Sequence, residues 1–255
     1  MTPAQSSKLQ SCYISPTSGI AFFDGVTIRA DSITDIRQNS VFPVIEEKQV
    51  YVCRQMKTLL EKSPNALFLD VGTGSGVYAI YAAAVCNCKV IAVETSARAL
   101  RIARQNAKAN GVNIAAHPQE LETGEIYFSQ VSFGEKFIEK MQHKFKFNAH
   151  SAFDFVLLSP ANMLTMSNIS DISIAKHAFG GKDGQQPFLE QIKHVPSVLK
   201  PQGHCIGTQM TPVVTDGLPQ AIMAIDKAFD RKCHIRFKEV FGNKLSTRKL
   251  LQGQY

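Results

Sequence analysis

Three short stretches of this chain carry residue types that could do chemistry together. The first is Asp70-Val71-Gly72-Thr73-Gly74-Ser75-Gly76, which follows the apolar run ALFL. Alternate glycines let a backbone turn sharply and come close to a ligand. A carboxylate two residues before the first glycine would attract positive charge. The second is Glu94, which ends the apolar run CKVIAVE, 18 residues past Gly76. An acid there can accept hydrogen bonds from both hydroxyls of a ribose. The third is Ser159-Pro160-Ala161-Asn162, which ends FDFVLL. Its hydroxyl and the Pro160 carbonyl offer hydrogen-bonding groups at a strand end.

The spacing discriminates between nucleotide ligands. A dinucleotide loop would read G-x-G-x-x-G, but counting from Gly72 its third glycine falls on Val77. A pyrophosphate also has no use for the Asp70 carboxylate. A nucleoside that carries positive charge does, and S-adenosylmethionine carries an ammonium and a sulfonium. Asp70 and Glu94 would then flank such a cofactor, one meeting its charge and the other its ribose.

These residues need a scaffold that gathers strand ends. VIEEKQVYVCRQMKTLLEK reads as an amphipathic helix, with Val52, Met56, Leu59 and Leu60 on one face. ALFLDV is a short strand of the kind buried on both faces, and SGVYAIYAAAV is a helix of small residues. CKVIAVE is a second strand. The helix SARALRIARQNAKANG follows, with Ser96 as N-cap and Gly111 at its C-terminal turn. EIYFSQVS, AFDFVLLS, HCIGTQM and CHIRFKEVF supply further strands, and FGEKFIEKMQHKF, QQPFLEQIKHV and LPQAIMAIDKAF the helices between them. Such alternation predicts an α/β fold with an open, mostly parallel sheet and helices on both faces. Ligands in such folds sit beyond the carboxyl ends of the strands. Residues 1–45 carry turn signals between β-branched pairs and predict a small hairpin flap, and 46–255 the main domain.

The stretch from about Val41 to Met210 resembles the class I S-adenosylmethionine-dependent methyltransferases. Within that superfamily it is most similar to the release-factor glutamine methyltransferases and their relatives that methylate RNA or DNA amino groups. LDVGTGSG resembles the family's cofactor loop, VETSARALRIARQNAKANG its second-strand acid and following helix, and FGGKDGQQPFLEQI its stretch after the fourth strand. The resemblance implies a Rossmann-like, mostly parallel seven-stranded sheet, S-adenosyl-L-methionine as cofactor, cofactor contacts from Asp70, Gly72, Thr73, Gly74, Gly76, Glu94, Thr95 and Ser159, and an acceptor clamp of Ser159, Pro160 and Asn162. Family members that methylate amide or amine nitrogen carry N-P-P-Y or D-P-P-Y where this chain has S-P-A-N. The clamp half of the motif survives in Ser159 and Pro160; the aromatic that stacks on a flat substrate is replaced by Asn162. Phe179 and Phe188 are the nearby aromatics, each read first as core.

The chain has 255 residues, 44% hydrophobic and 19% charged, which is ordinary globular composition. No apolar run reaches the roughly 20 residues a membrane helix needs, and the first residues lack an apolar signal core, so a cytoplasmic protein is expected. The six cysteines match neither a disulfide framework nor a zinc site. Net charge is +7. Between Arg231 and Lys249 seven basic residues are opposed by Glu239 alone. Such a cluster suits an edge strand kept soluble by charge, or a surface that meets phosphates.

Methyl transfer from a sulfonium needs alignment more than acid–base help. His177 and Asp183 are accordingly read as loop residues, and His204 lies at the wrong end of its strand. The expected function is methyl transfer to a nitrogen or other heteroatom of a small-molecule acceptor, which the missing aromatic favours. The alternative is an RNA or protein N-methyltransferase, which the basic segment favours. A silent cofactor-fold subunit and an NAD oxidoreductase are the readings from other classes.

Overall fold

The computed structural model describes residues 12–35, 37, 39–63, 65–160, 184–210, 220–243 and 246–254. Ala161, Asn162, His177, Phe179 and Asp183 lie outside them.

The site rests on a parallel sheet of five strands. Strand β4 (Leu67–Val71) pairs with β5 (Lys89–Glu94) on one side and β7 (Phe153–Leu158) on the other. β6 (Ile126–Gln130) extends the sheet beyond β5, and β8 (Leu199–Met210) beyond β7, all parallel. The antiparallel pair β9 (His234–Asn243) and β10 (Ser246–Gln254) joins the β8 edge, giving the order β6-β5-β4-β7-β8-β10-β9. β10 was not expected: STRKLLQGQ lacks the alternation or apolar run that marks a strand.

The strands read as apolar runs because both faces are covered. Phe68, Val90 and Ala92 point into one core, and Leu69, Val71, Ile91 and Val93 into the other. The first core takes Val52, Cys53, Met56 and Leu60 of α1 (Tyr51–Leu60), most of α2 (Val77–Ala84), and Leu100, Ala103 and Ala107 of α3 (Ala97–Ala109). The second takes Phe137 of α4 (Glu135–Glu139), Phe188 and Ile192 of α5 (Gln186–Ile192), Val195 and Val198 of α6 (Val195–Val198), and Ile225 of α7 (Gln220–Ala228). α1 buries Cys53 where the sequence placed Leu59, which is half-buried. Among the described residues no helix is long and apolar enough to cross a membrane.

The segment expected to form a hairpin is a three-stranded antiparallel meander: β1 (Tyr13–Ser15), β2 (Ile20–Phe23) and β3 (Val26–Arg29). Its inner face, Ala21, Phe23, Val26 and Ile28, belongs to the first core. The Phe23 ring stacks on Tyr81 with centroids 5.9 Å apart. The free edge of β3 is satisfied by side chains. Asn110 Oδ1 accepts from Thr27 N (2.8 Å) while its Nδ2 donates to Thr27 O (2.7 Å). One turn earlier on α3, Asn106 makes the same pair of bonds with Arg29, at 3.1 and 2.8 Å. Two amides spaced i, i+4 thus stand in for a neighbouring strand and cover an edge that would otherwise pair with another chain.

Candidate functional site

The parallel register brings the three sequence stretches to one edge of the sheet. Asp70 pairs with Ala92 and Leu157, and Val71 with Val93 and Leu158. The loop after β4, the acid ending β5 and the Ser159-Pro160 step after β7 are therefore neighbours, at the carboxyl ends of adjacent strands.

The loop is held by its own backbone. Gly72 N and Thr73 N both donate to Val93 O, at 2.9 and 3.1 Å, and Gly76 N donates to Thr73 O at 2.8 Å. Gly76 takes φ +87°, and a β-carbon there would lie 3.1 Å from both Ala103 Cβ and Ile80 Cδ1. Only glycine permits both that φ and that approach of α3. Asn106 fastens the arrangement, donating from Nδ2 to Ser75 O at 2.8 Å. The meander, the glycine loop and α3 thus share one buried amide.

Asp70 is fully buried. Its Oδ2 accepts from Thr73 Oγ1 at 2.7 Å and from Ala79 N at 3.1 Å, bracing the loop and capping the first turn of α2. Its Oδ1 is buried with no hydrogen-bond partner among the described residues. Burial is the main influence on this carboxyl and pushes its pKa up to about 7, against the lowering effect of those two hydrogen bonds. A buried acceptor oxygen left unmatched is costly. A cation beside the loop would favour the ionised carboxylate through its charge.

Glu94 is half-buried. Oε1 accepts from Thr95 N (2.7 Å), Ser96 N (2.9 Å) and Thr95 Oγ1 (3.2 Å), while among the described residues Oε2 accepts only from Gly74 N at 3.2 Å. One oxygen is saturated and the other keeps acceptor capacity. A ribose would have to use Oε2 or displace the Thr95 hydroxyl, a narrower fit than two open oxygens. Ser96 caps α3 as its sequence position predicted, accepting from Ala99 N at 3.2 Å. Gly111 follows that helix with φ +68°.

Ser159 is half-buried, and its hydroxyl lies 3.1 Å from Thr208 Oγ1 on β8. Its carbonyl oxygen lies 3.8 Å from where a β-carbon on Gly72 would stand. The clamp step and the cofactor loop are thus in van der Waals reach. Tyr78, the second residue of α2, is buried beside them. Its hydroxyl has no partner in hydrogen-bond geometry among the described residues. Ser159 is near enough to oppose, weakly, the large upward shift that burial gives this phenol. Neither Tyr78 nor Thr208 was singled out in the sequence. The available signal was polarity inside otherwise apolar runs, VYAIYAAA and CIGTQM. Phe188 lies in the second core, so it offers no stacking face. His204 stands beside Phe155 with centroids 6.0 Å apart, in the amino-terminal half of its strand pairing with β7.

Residues 51–129 match the family described as ribosomal protein L11 methyltransferase (PrmA). A Methanocaldococcus jannaschii protein, provisionally named a protein N5-glutamine methyltransferase, is 28% identical over 136 residues, covering 53% of this chain and 57% of the relative. A ribosomal protein L11 methyltransferase of Caldicellulosiruptor bescii is 41% identical over 61 residues, covering 24% of this chain and 20% of the relative. The chain thus spans about half or less of the curated relatives it matches. Among solved structures, an S-adenosylmethionine-dependent methyltransferase from Agrobacterium tumefaciens aligns with TM-score 0.59 at 15% identity, over 92% of this chain and 69% of that one. The fold is that of the S-adenosylmethionine-dependent methyltransferases. Both curated relatives are named for protein acceptors, so the small-molecule acceptor expected from the sequence finds no support among them.

Proposed function

We propose that this chain is an S-adenosylmethionine-dependent methyltransferase that modifies a nitrogen of a protein acceptor. One observation carries the cofactor half: the Asp70–Gly76 loop and Glu94 lie on adjacent strand ends, with Asp70 Oδ1 buried and unmatched. S-adenosylmethionine supplies an electrophilic methyl group on a sulfonium when bound. Asp70 offsets its positive charge, Glu94 Oε2 receives a ribose hydroxyl, and Gly72, Thr73, Gly74, Gly76 and Thr95 shape the seat. Ser159 Oγ and the Pro160 carbonyl hold the acceptor N–H groups, with Asn162 the further clamp member. We read the β9–β10 hairpin as completing the seven strands of the class, and residues 1–45 as a docked appendage to a domain of 46–255. The protein acceptor follows from the relatives' names rather than from any feature of the clamp.

RNA is the second reading. It is favoured by the +7 net charge and by the run of seven basic residues between Arg231 and Lys249. Extract from cells lacking the gene, incubated with the purified chain and methyl-tritiated S-adenosylmethionine, separates the two. Label that protease releases and ribonuclease leaves supports the protein acceptor. Label released by ribonuclease transfers the assignment to RNA. Label in neither removes both.

A further inference from the structure

The chain that leaves β3 stays beside α3 until it reaches the cofactor end of the sheet. The backbone of Thr27 is held by Asn110 and that of Arg29 by Asn106; the next tie, at Asp31, is to Arg98 in the first turn of the helix. Arg98 Nη1 and Nη2 donate to the two Asp31 oxygens, Nη2 at 2.7 Å, and Nη1 also donates to Asn39 O at 3.0 Å. Asp31 is at the same time bonded twice to Val41. Its N donates to Val41 O at 3.0 Å, and its Oδ2 accepts from Val41 N at 2.6 Å. One carboxylate therefore closes the neck of a loop, residues 31–41, and one planar guanidinium fastens that neck to α3.

Both sides of this tie belong to the site. Glu94 Oε1 holds Thr95 N and Ser96 N, and Ser96 caps α3, so the turn that carries Arg98 is set by the acid that ends β5. On the other side, Val41 leads through buried Val44 into α1. Residues 61–66 join the end of α1 to the start of β4, so α1 runs against that strand and begins at the carboxyl edge of the sheet. The loop itself has little apolar anchorage. Among its described residues from Ser32 to Asn39 none is buried, and Ile33 is 46% exposed. A segment held by a few polar bonds opens at small free-energy cost.

We propose that the Arg98–Asp31 pair is a latch that couples cofactor binding to closure of the 31–41 loop. A filled seat fixes the first turn of α3, and Arg98 then holds the neck shut. An open neck frees Val41 and the start of α1 from the edge of the sheet and weakens the seat. This rests on the cofactor reading above. The coupling is reciprocal: whatever factor the cofactor adds to loop closure, the latch adds to cofactor affinity. Arg98 and Asp31 act as positioning residues.

The test is trypsin cleavage after Arg37, which lies in the loop with its side chain 61% exposed. Cleavage after Lys62, exposed beyond the far end of α1, is the internal reference. The full chain and its Asp31→Asn, Arg98→Gln, Arg98→Lys and Asp31→Asn/Arg98→Gln variants are digested with and without saturating S-adenosylhomocysteine. Calorimetric affinities and melting temperatures are measured alongside. In the wild type, S-adenosylhomocysteine should slow cleavage after Arg37 about fivefold or more relative to Lys62, the low end of ordinary coupling. Asp31→Asn and Arg98→Gln should lose that protection and bind S-adenosylhomocysteine about fivefold or more weakly. Arg98→Lys keeps the charge without the fork and should fall between. The double variant should be no weaker than either single one, since both remove the same tie. A wild type that binds S-adenosylhomocysteine with unchanged cleavage after Arg37 would overturn the latch and leave the cofactor reading standing. Variants that melt lower yet keep wild-type protection and affinity would overturn it too, because they mark a purely structural tie. A wild type that does not bind S-adenosylhomocysteine removes the cofactor reading, and the latch with it.

Discussion

Gly74 N donates to Glu94 Oε2 across 3.2 Å, tying the loop that ends β4 to the acid that ends β5. The bond crosses between two adjacent strand ends and holds the expected cofactor seat closed on one side. Glu94→Gln separates charge from shape. A glutamine has one acceptor oxygen, so it cannot serve both Gly74 N and the Thr95–Ser96 pair. We expect S-adenosylhomocysteine affinity to fall about ten- to a hundredfold, the value of a charge-assisted hydrogen bond, with the melting temperature little changed. Titration calorimetry alongside thermal unfolding checks both.

Asp70 makes cofactor affinity depend on pH. Burial holds its carboxyl at about 7 in the free protein, and a cationic ligand prefers the ionised form. Affinity for S-adenosylmethionine should therefore rise about tenfold per unit below pH 7 and level off above it. Asp70→Asn should bind weakly and show no such slope. A wild-type affinity flat between pH 5.5 and 8 would remove the carboxylate from the seat.

The same group has a stability signature of opposite sense. Its folded pKa lies above the unfolded value of about 3.9, so the folded state holds the proton longer. Its contribution is full below about pH 4 and is lost as pH rises through 7. Relative to Asp70→Asn, the wild type should lose about 4 kcal/mol of unfolding free energy across that window. Denaturant unfolding at pH 4, 5.5 and 7 gives the difference directly.

The meander is predicted to be part of the folding unit. Asn106 makes three hydrogen bonds with backbone groups, two to Arg29 and one to Ser75. Asn106→Ala should cost about 3 kcal/mol, or about 6 to 12 °C in melting temperature. Cofactor affinity should fall with it, since the Ser75 carbonyl belongs to the glycine loop. A variant that melts like wild type would show that the meander is only laid against the domain.

Much of this was legible because strand burial and loop chemistry are local. ALFLDV and CKVIAVE are apolar because both faces are covered, and Asp70 and Glu94 stand out as the charges that end them. Ser96 and Gly111 announced α3 by capping chemistry alone. What the sequence hid depends on contacts between distant segments. Asn106 and Asn110 read as polar positions on a helix, and only the fold shows that they replace a strand beside Thr27 and Arg29. Thr208 lies 49 residues from Ser159, and Tyr78 read as one more apolar residue of α2. β10 escaped because its pairing with β8 and β9, not its pattern, makes it a strand. The small-molecule acceptor finds no support among the relatives, for another reason. The loss of an aromatic in S-P-A-N says what the clamp lacks, while acceptor size is set by surfaces that a tetrapeptide does not describe.

Cofactor binding by Asp70 and Glu94 is the property most directly open to measurement. Titration calorimetry of the full chain with S-adenosylmethionine, beside Asp70→Ala and Glu94→Ala, tests it in one experiment. The prediction is one site per wild-type chain, weakened about a hundredfold or more in each variant, as expected for removing a charge that pairs with the ligand in a largely dry site. No binding to the wild type, or equal affinity in all three proteins, would contradict it.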